Sequence, residues 1–136
     1  MGSGRSLVVP LATAAHRESS LVGGKARTLG RLIGAGFRVP DGFCLTVAAY
    51  ERFLAASDLA ATIQMELGRK PLAKMRWEEI WDAALRIRSA FLAAPMPADI
   101  ADPVVEASRA LGAGSLAVRS SAPGEDAAEQ SHAGLH

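Results

Sequence analysis

The sequence has one cysteine, three histidines and almost no net charge, and each scarcity removes a class of function. Cys44 alone cannot close an internal disulfide. It stands in an apolar, strand-like run, where a small buried thiol is the ordinary role, and a reducing cytoplasm is the expected setting. His16, His132 and His136 are scattered, no two histidines stand at helical ligand spacing and no cysteines cluster, so no metal site is expected within these residues. A net charge of +1 leaves no basic stripe for nucleic acid. No apolar run approaches the roughly 20 residues of a membrane-spanning helix, and Met1 to Ser6 is a short polar start rather than the opening of a signal peptide. Internal repeats and low-complexity stretches are also missing.

What is there suits a globular chain. With 136 residues and 49% of them hydrophobic, there is material for one domain, 1–136, with a modest core. Leu7 to Leu11 reads as a first strand. A helical pattern after Gly24 carries Leu29, Leu32 and Ile33 inward and ends at Ala35-Gly36, where glycine can take the left-handed cap; Phe37 then packs back. Phe43 to Thr46 reads as a second strand, and Thr46 as the cap of a helix, Val47 to Ala56, with Val47, Tyr50 and Leu54 on its inner face. Asp58 can cap a further helix that ends at Gly68. The basic stretch Arg69, Lys70, Lys74, Arg76 reads as a solvated linker. Trp77, Ile80, Trp81, Ala84, Leu85, Phe91 and Leu92 recur at helical spacing, and such a stripe is expected in the core. Ala98 to Leu111 is helical by pattern, with Pro103 starting a new segment or kinking the old one. Few strands and several helices in segregated runs predict an α+β fold.

Two stretches carry chemistry. Leu116 to Arg119 alternates as a last strand, with Leu116 and Val118 on the core face and Arg119 on the other, just before Ser120 and Ser121. An arginine fork beside two hydroxyls and a glycine-bearing loop is what a polyphosphate needs: bidentate charge, neutral donors and closely approaching backbone. Taken alone, the stretch reads rather as an edge-strand arginine with a polar turn. The second stretch is Leu21-Val22-Gly23-Gly24-Lys25-Ala26. Glycines that open a helix leave N–H groups uncovered, and Lys25 adds charge at the positive helix end, which favours an anion. It is not a Walker A loop, which would want Gly at Ser19 and Ser or Thr at Ala26. Alone, it reads rather as a flexible turn with a solvated lysine. Glu125 and Asp126 follow Ala122-Pro123-Gly124, a type II turn pattern, and read as solvated turn residues rather than magnesium ligands.

In combination, VGGKARTLGRLIGAGFRVPDGFCLT and LAVRSSAPGEDAAEQSHAG resemble the N-terminal nucleotide-binding domain of the dikinase family, whose members include phosphoenolpyruvate synthase, pyruvate phosphate dikinase and rifampin phosphotransferase. The resemblance covers roughly Leu21 to Tyr50 and Leu116 to Gly134. It implies part of an ATP-grasp-like fold, a first subdomain of few strands and several helices, with ATP and magnesium as the cofactors. By that resemblance Lys25, with Gly24 beside it, contacts the ATP phosphates from one side. Arg119 and Ser120 do so from the other, and Ser131 to Gly134 forms the small-residue loop that closes over them. His132 stands where many members carry Phe, which bears on the apolar contact of that loop.

The family mechanism passes the β-phosphoryl group of ATP to a histidine on a swivelling domain and then to an acceptor. Its phosphohistidine domain, acceptor domain and acidic metal ligands lie outside this chain. The chain is therefore expected to be an N-terminal fragment of a larger enzyme and inert by itself. Its expected partners are nucleotide and the remaining domains of the parent, with no nucleic acid and no membrane. A phosphoenolpyruvate synthase acting on ATP, pyruvate and water is the first reading; a rifampin phosphotransferase-like enzyme and a non-catalytic nucleotide-binding module are the alternatives.

Overall fold

Two short apolar runs on either side of a long helix can satisfy their backbone only against each other. In the computed structural model of the chain, which describes residues 6–112 and 114–123, they do. Strand β1 (Val8–Pro10) pairs antiparallel with β2 (Phe43–Leu45), with Val9 opposite Cys44. The pairing continues past both ends: Leu11 N–H donates to Gly42 O at 2.9 Å and Thr46 N–H to Leu7 O at 3.0 Å. Helices α1 (Leu11–Ala14), α2 (Ser19–Gly34), α3 (Val47–Ala55), α4 (Leu59–Gly68), α5 (Trp77–Ala93) and α6 (Ala98–Ala110) complete the regular structure, with a 3-10 turn at Leu72–Lys74. Six helices and a two-stranded sheet among the described residues make an α+β chain.

The chain divides into two compact units. One takes the described residues up to Tyr50 and from Ala98 onward; the other is Glu51–Pro97. The core of the first gathers Val9, Ala14, Val22, Ala26 and Cys44, with Leu11 and Leu21 packed against it. Helix α2 crosses α1 at Gly30, where a β-carbon would sit 2.6 Å from Ala15 N and 2.7 Å from Leu11 O. The end of α2 has a full Schellman pattern. Gly36, at φ 84°, donates its N–H to Ile33 O, and Phe37 donates to Leu32 O, both at 3.0 Å. The glycine cap was legible in the sequence, but Phe37 leaves its ring 64% exposed, and Leu32 faces solvent as well. Helix α6 runs through Pro103 undivided and buries Ile100.

In the second unit α4 packs on α5, and the Phe53 and Phe91 rings meet at 5.9 Å. Asp58 does occupy the N-cap position of α4, without a side-chain cap bond. The buried face of α3 is Ala48, Ala49 and Phe53, rotated from the expected one, and Tyr50 is exposed. The tryptophan stripe is the larger departure: Trp77 and Trp81 are 72% and 67% exposed, with Ile80, Leu85 and Leu92 beside them. The inward residue of α5 is Ala83, because α4 presents a buried carboxylate, Glu66, that takes its partner from the Ala83–Arg86 side. Periodicity identified the helix and its apolar stripe; it did not say which stripe the neighbouring helix would cover.

Candidate functional site

Helix α2 is two helices joined at Gly23, whose φ of 73° and ψ of 171° lie in a region essentially reserved for glycine. The turn Gly23-Gly24-Lys25 is held from both sides by side chains in the core, Val22 and Ala26, so its backbone is fixed although the residues are small. At the kink the Val22 carbonyl leaves the helical ladder and turns to other donors. Ser121 Oγ donates to it at 2.9 Å, and Cys44 Sγ lies 3.5 Å away. Ser121 Oγ in turn accepts from Ala26 N–H at 3.1 Å. A β-carbon on Gly23 would overlap the Ser121 carbonyl oxygen and stand 2.6 Å from its carbonyl carbon. The structure thus brings the two motif stretches into direct contact, with Val22 and Ser121 99 positions apart in the chain.

Lys25 is half-buried, one residue before Ala26, while Arg119 and Ser120 are exposed, just ahead of Ser121. Gly24 is half-buried in the turn itself. Residues 116–120 are not a strand, contrary to the alternation. Val118 is 94% exposed and Leu116 46%, so no face of the segment is buried. A strand exists through its ladder, and among the described residues the only sheet pairs β1 with β2, leaving 116–119 without one. The Ser121 hydroxyl ties this segment to the turn. Sequence reading passed over Ser121 as one of two hydroxyls, and the clue that could have raised it is the glycine pair, which has no side chain to cap the helix it opens. Ser131 and Gly134, along with His132, Glu125 and Asp126, lie outside the described residues.

Cys44 is no nucleophile here. Burial pushes its thiol above the ordinary range, and its Sγ is engaged with backbone carbonyls. Thr46 is buried and its hydroxyl donates to Ser6 O at 2.8 Å, binding the chain start to β2. On α2, Arg27 has a buried Nε with no hydrogen-bond partner among the described residues. No group of three His, Cys, Asp or Glu among the described residues is placed to hold a metal ion.

A shallow cleft of about 190 Å³ lies in the other unit, lined by Glu66, Arg69, Lys70, Glu79, Asp82 and Arg86 among others. Its cations are committed. Arg86 Nε and Arg69 Nη2 each stand 2.8 Å from the buried Glu66 carboxylate, and Lys70 Nζ is 3.0 Å from Glu79. The Arg86 hydrogen bond, with help from the Arg69 charge and against the cost of burial, holds the Glu66 carboxyl below its ordinary range. Glu79 is lowered too, first by the Arg76 backbone N–H at 2.8 Å and then by Lys70. The basic stretch 69–76 is therefore not merely a solvated linker: Arg69, Lys70 and Arg76 all pair with acids of α4 or α5.

The stretch from α2 through the Arg-Ser-Ser segment lies within residues 19–136, which match the model of the pyruvate phosphate dikinase AMP/ATP-binding domain. The chain belongs to that family. It is similar to the phosphoenolpyruvate synthase of Aeropyrum pernix, 42% identical in a match that covers 84% of this chain and 14% of that protein. It is also similar to the rifampicin phosphotransferase of Bacillus subtilis, 33% identical over 95% of this chain and 15% of that one. The prodigiosin synthesizing transferase PigC of Serratia marcescens is 35% identical over 96% of this chain and 13% of its own length. The chain thus spans about one-seventh of the curated relatives it matches, and the matching part is the family's N-terminal, nucleotide-binding region. No helix among the described residues is long and apolar enough to cross a membrane.

Proposed function

We propose that this chain is the N-terminal part of the ATP-binding domain of a phosphoenolpyruvate synthase-like dikinase, which converts ATP, pyruvate and water to phosphoenolpyruvate, AMP and phosphate. In this reading the residues form the first subdomain of an ATP-grasp-like fold in a cytoplasmic enzyme. The phosphohistidine, the acceptor site and the magnesium ligands come from the rest of the parent protein. The observation that carries the reading is the Ser121 clasp, which places the Lys25 turn and the Arg119–Ser120 segment at one location. Lys25 is one residue from one end of that clasp and Arg119 two residues from the other. At no more than about 3.6 Å per residue, both cations are tethered within side-chain reach of a single polyphosphate.

Phosphoryl transfer asks a protein mainly to position reactants and neutralise charge. Lys25 supplies a compact point charge at the start of the helix that follows Gly23, where the macrodipole already favours an anion. Arg119 supplies a planar fork that can take two phosphate oxygens at once. The Gly24 backbone and the Ser120 hydroxyl add neutral donors, and Ser131 and Gly134 are further nucleotide-binding residues in this reading. A rifampicin phosphotransferase-like enzyme would use the same nucleotide residues and differ in its acceptor.

AMP release from ATP by the complete enzyme, with pyruvate and with rifampicin as acceptors, tests the proposal. Pyruvate-dependent release is expected, with Lys25→Met and Arg119→Ala each slowing it by on the order of a hundredfold, roughly 3 kcal/mol of transition-state stabilisation. Lys25→Arg should cost less. Release with rifampicin alone would reassign the acceptor. Wild-type rates in both Lys25→Met and Arg119→Ala would refute the phosphate site.

A further inference from the structure

We infer that Ser121 is a positioning residue for the nucleotide phosphates: its hydroxyl caps the helix that begins after Gly23 and so sets the register between Lys25 and Arg119. The inference rests on the phosphate-site reading above and adds a residue to it. An α-helix leaves its first N–H groups without intrahelical acceptors, and the N-cap side chain ordinarily takes the one at the second or third position. Here the N-cap position is Gly23, which has no side chain to offer. Counting from it, Gly24, Lys25 and Ala26 are the first three helical residues, and the third is the one whose N–H donates to Ser121 Oγ, at 3.1 Å. Ser121 therefore performs from a distant part of the chain the capping that a serine at position 23 would perform locally.

Position 23 cannot itself be serine. Its φ of 73° with ψ of 171° excludes a β-carbon, and the space such an atom would occupy holds the Ser121 backbone. The missing side chain and the supplied hydroxyl are thus two halves of one arrangement. The same oxygen closes the other side of the kink by donating to Val22 O at 2.9 Å, so it uses both its donor and an acceptor site on the turn. Both partners are backbone atoms of buried residues, Val22 and Ala26, which makes the anchor rigid. The segment being anchored has no ladder among the described residues, and its residues 116–120 are exposed. Arg119 and Ser120 therefore stand next to an anchored hydroxyl and not in a strand ladder.

Two neutral hydrogen bonds, each worth about 1 kcal/mol net, correspond to a change of up to roughly thirtyfold in the population of the clasped arrangement. In the complete protein, Ser121→Ala should therefore weaken ATP binding by roughly tenfold to thirtyfold while leaving adenosine, which has no phosphates, bound as in the wild type. Ser121→Thr keeps the hydroxyl and should stay within a few-fold of wild type for both. Titration calorimetry with ATP, and competition with adenosine, reads these values. Circular dichroism reports whether each variant is folded. Equal loss of ATP and adenosine in Ser121→Ala, or an unfolded Ala variant, would make Ser121 a fold element and overturn the inference. So would a folded Ser121→Thr as weak for ATP as the Ala variant. Arg119→Ala and Lys25→Met separate the two levels of the argument. If both bind ATP as the wild type does, the phosphate site itself fails and Ser121 with it. If both weaken ATP while Ser121→Ala does not, the Ser121 inference alone falls.

Discussion

Gly23→Ala is the sharpest perturbation available, because both its backbone angles and its surroundings exclude a side chain. Alanine must either hold a glycine-only conformation, at about 1–3 kcal/mol, or let the kink relax toward regular helix. Holding it drives the new methyl into the Ser121 carbonyl, which is backbone and cannot swing aside. Relaxing it lets Ala26 N–H donate to Val22 O as in a regular helix and leaves Ser121 Oγ without either partner, a net loss of one hydrogen bond of about 1 kcal/mol together with the contact between the two segments. Either route costs about 1–3 kcal/mol, a drop of roughly fivefold to a hundredfold in the folded-to-unfolded ratio of a marginally stable unit. Urea denaturation of the chain followed by circular dichroism reads the stability, and ATP titration of the complete protein reads the site. Both should fall together, since Gly23 is where the two motifs touch. An alanine variant with the wild-type midpoint and wild-type ATP affinity would refute the close approach and the site built on it.

Gly30→Ala and Gly34→Ala should have opposite signs although both lie in α2. At Gly30 the methyl meets backbone atoms of Ala15 and Leu11 within 2.7 Å, and forcing the helices apart should cost about 1–3 kcal/mol; at Gly34 it meets nothing within 4 Å, so the better helix former should be neutral or stabilise by up to about 1 kcal/mol. Urea midpoints of the two variants check this, and equal shifts would contradict the α1–α2 crossing. Glu66→Gln should destabilise the chain at neutral pH and flatten its acid limb. The folded-state pKa of Glu66 is depressed, so its contribution is complete above the ordinary glutamate value of about 4.3 and disappears as pH falls through the lower folded value. Urea midpoints measured from neutral pH down to about pH 3 test it, and parallel wild-type and Gln curves would show that the Arg86 and Arg69 pairs contribute nothing.

Local chemistry by itself determined much of this protein. The apolar runs that become β1 and β2, the glycine stop of α2 and the helical stretches all depend on residues within a few positions of one another, and each was readable where it stood. The family followed from the Gly-Gly-Lys and Arg-Ser-Ser stretches in combination. Partner choice was left to the tertiary structure. An apolar stripe on α5 looks the same in sequence whether a neighbour covers it or not, and packing of α4 through Glu66 and Arg86 covered the Ala83 side instead. The alternation of 116–119 becomes a strand only if another strand pairs with it, and among the described residues none does. The Ser121 clasp is the clearest case. A hydroxyl can cap a helix 95 residues away only after the core around Val22 and Ala26 has brought the two together, so no local pattern could announce it.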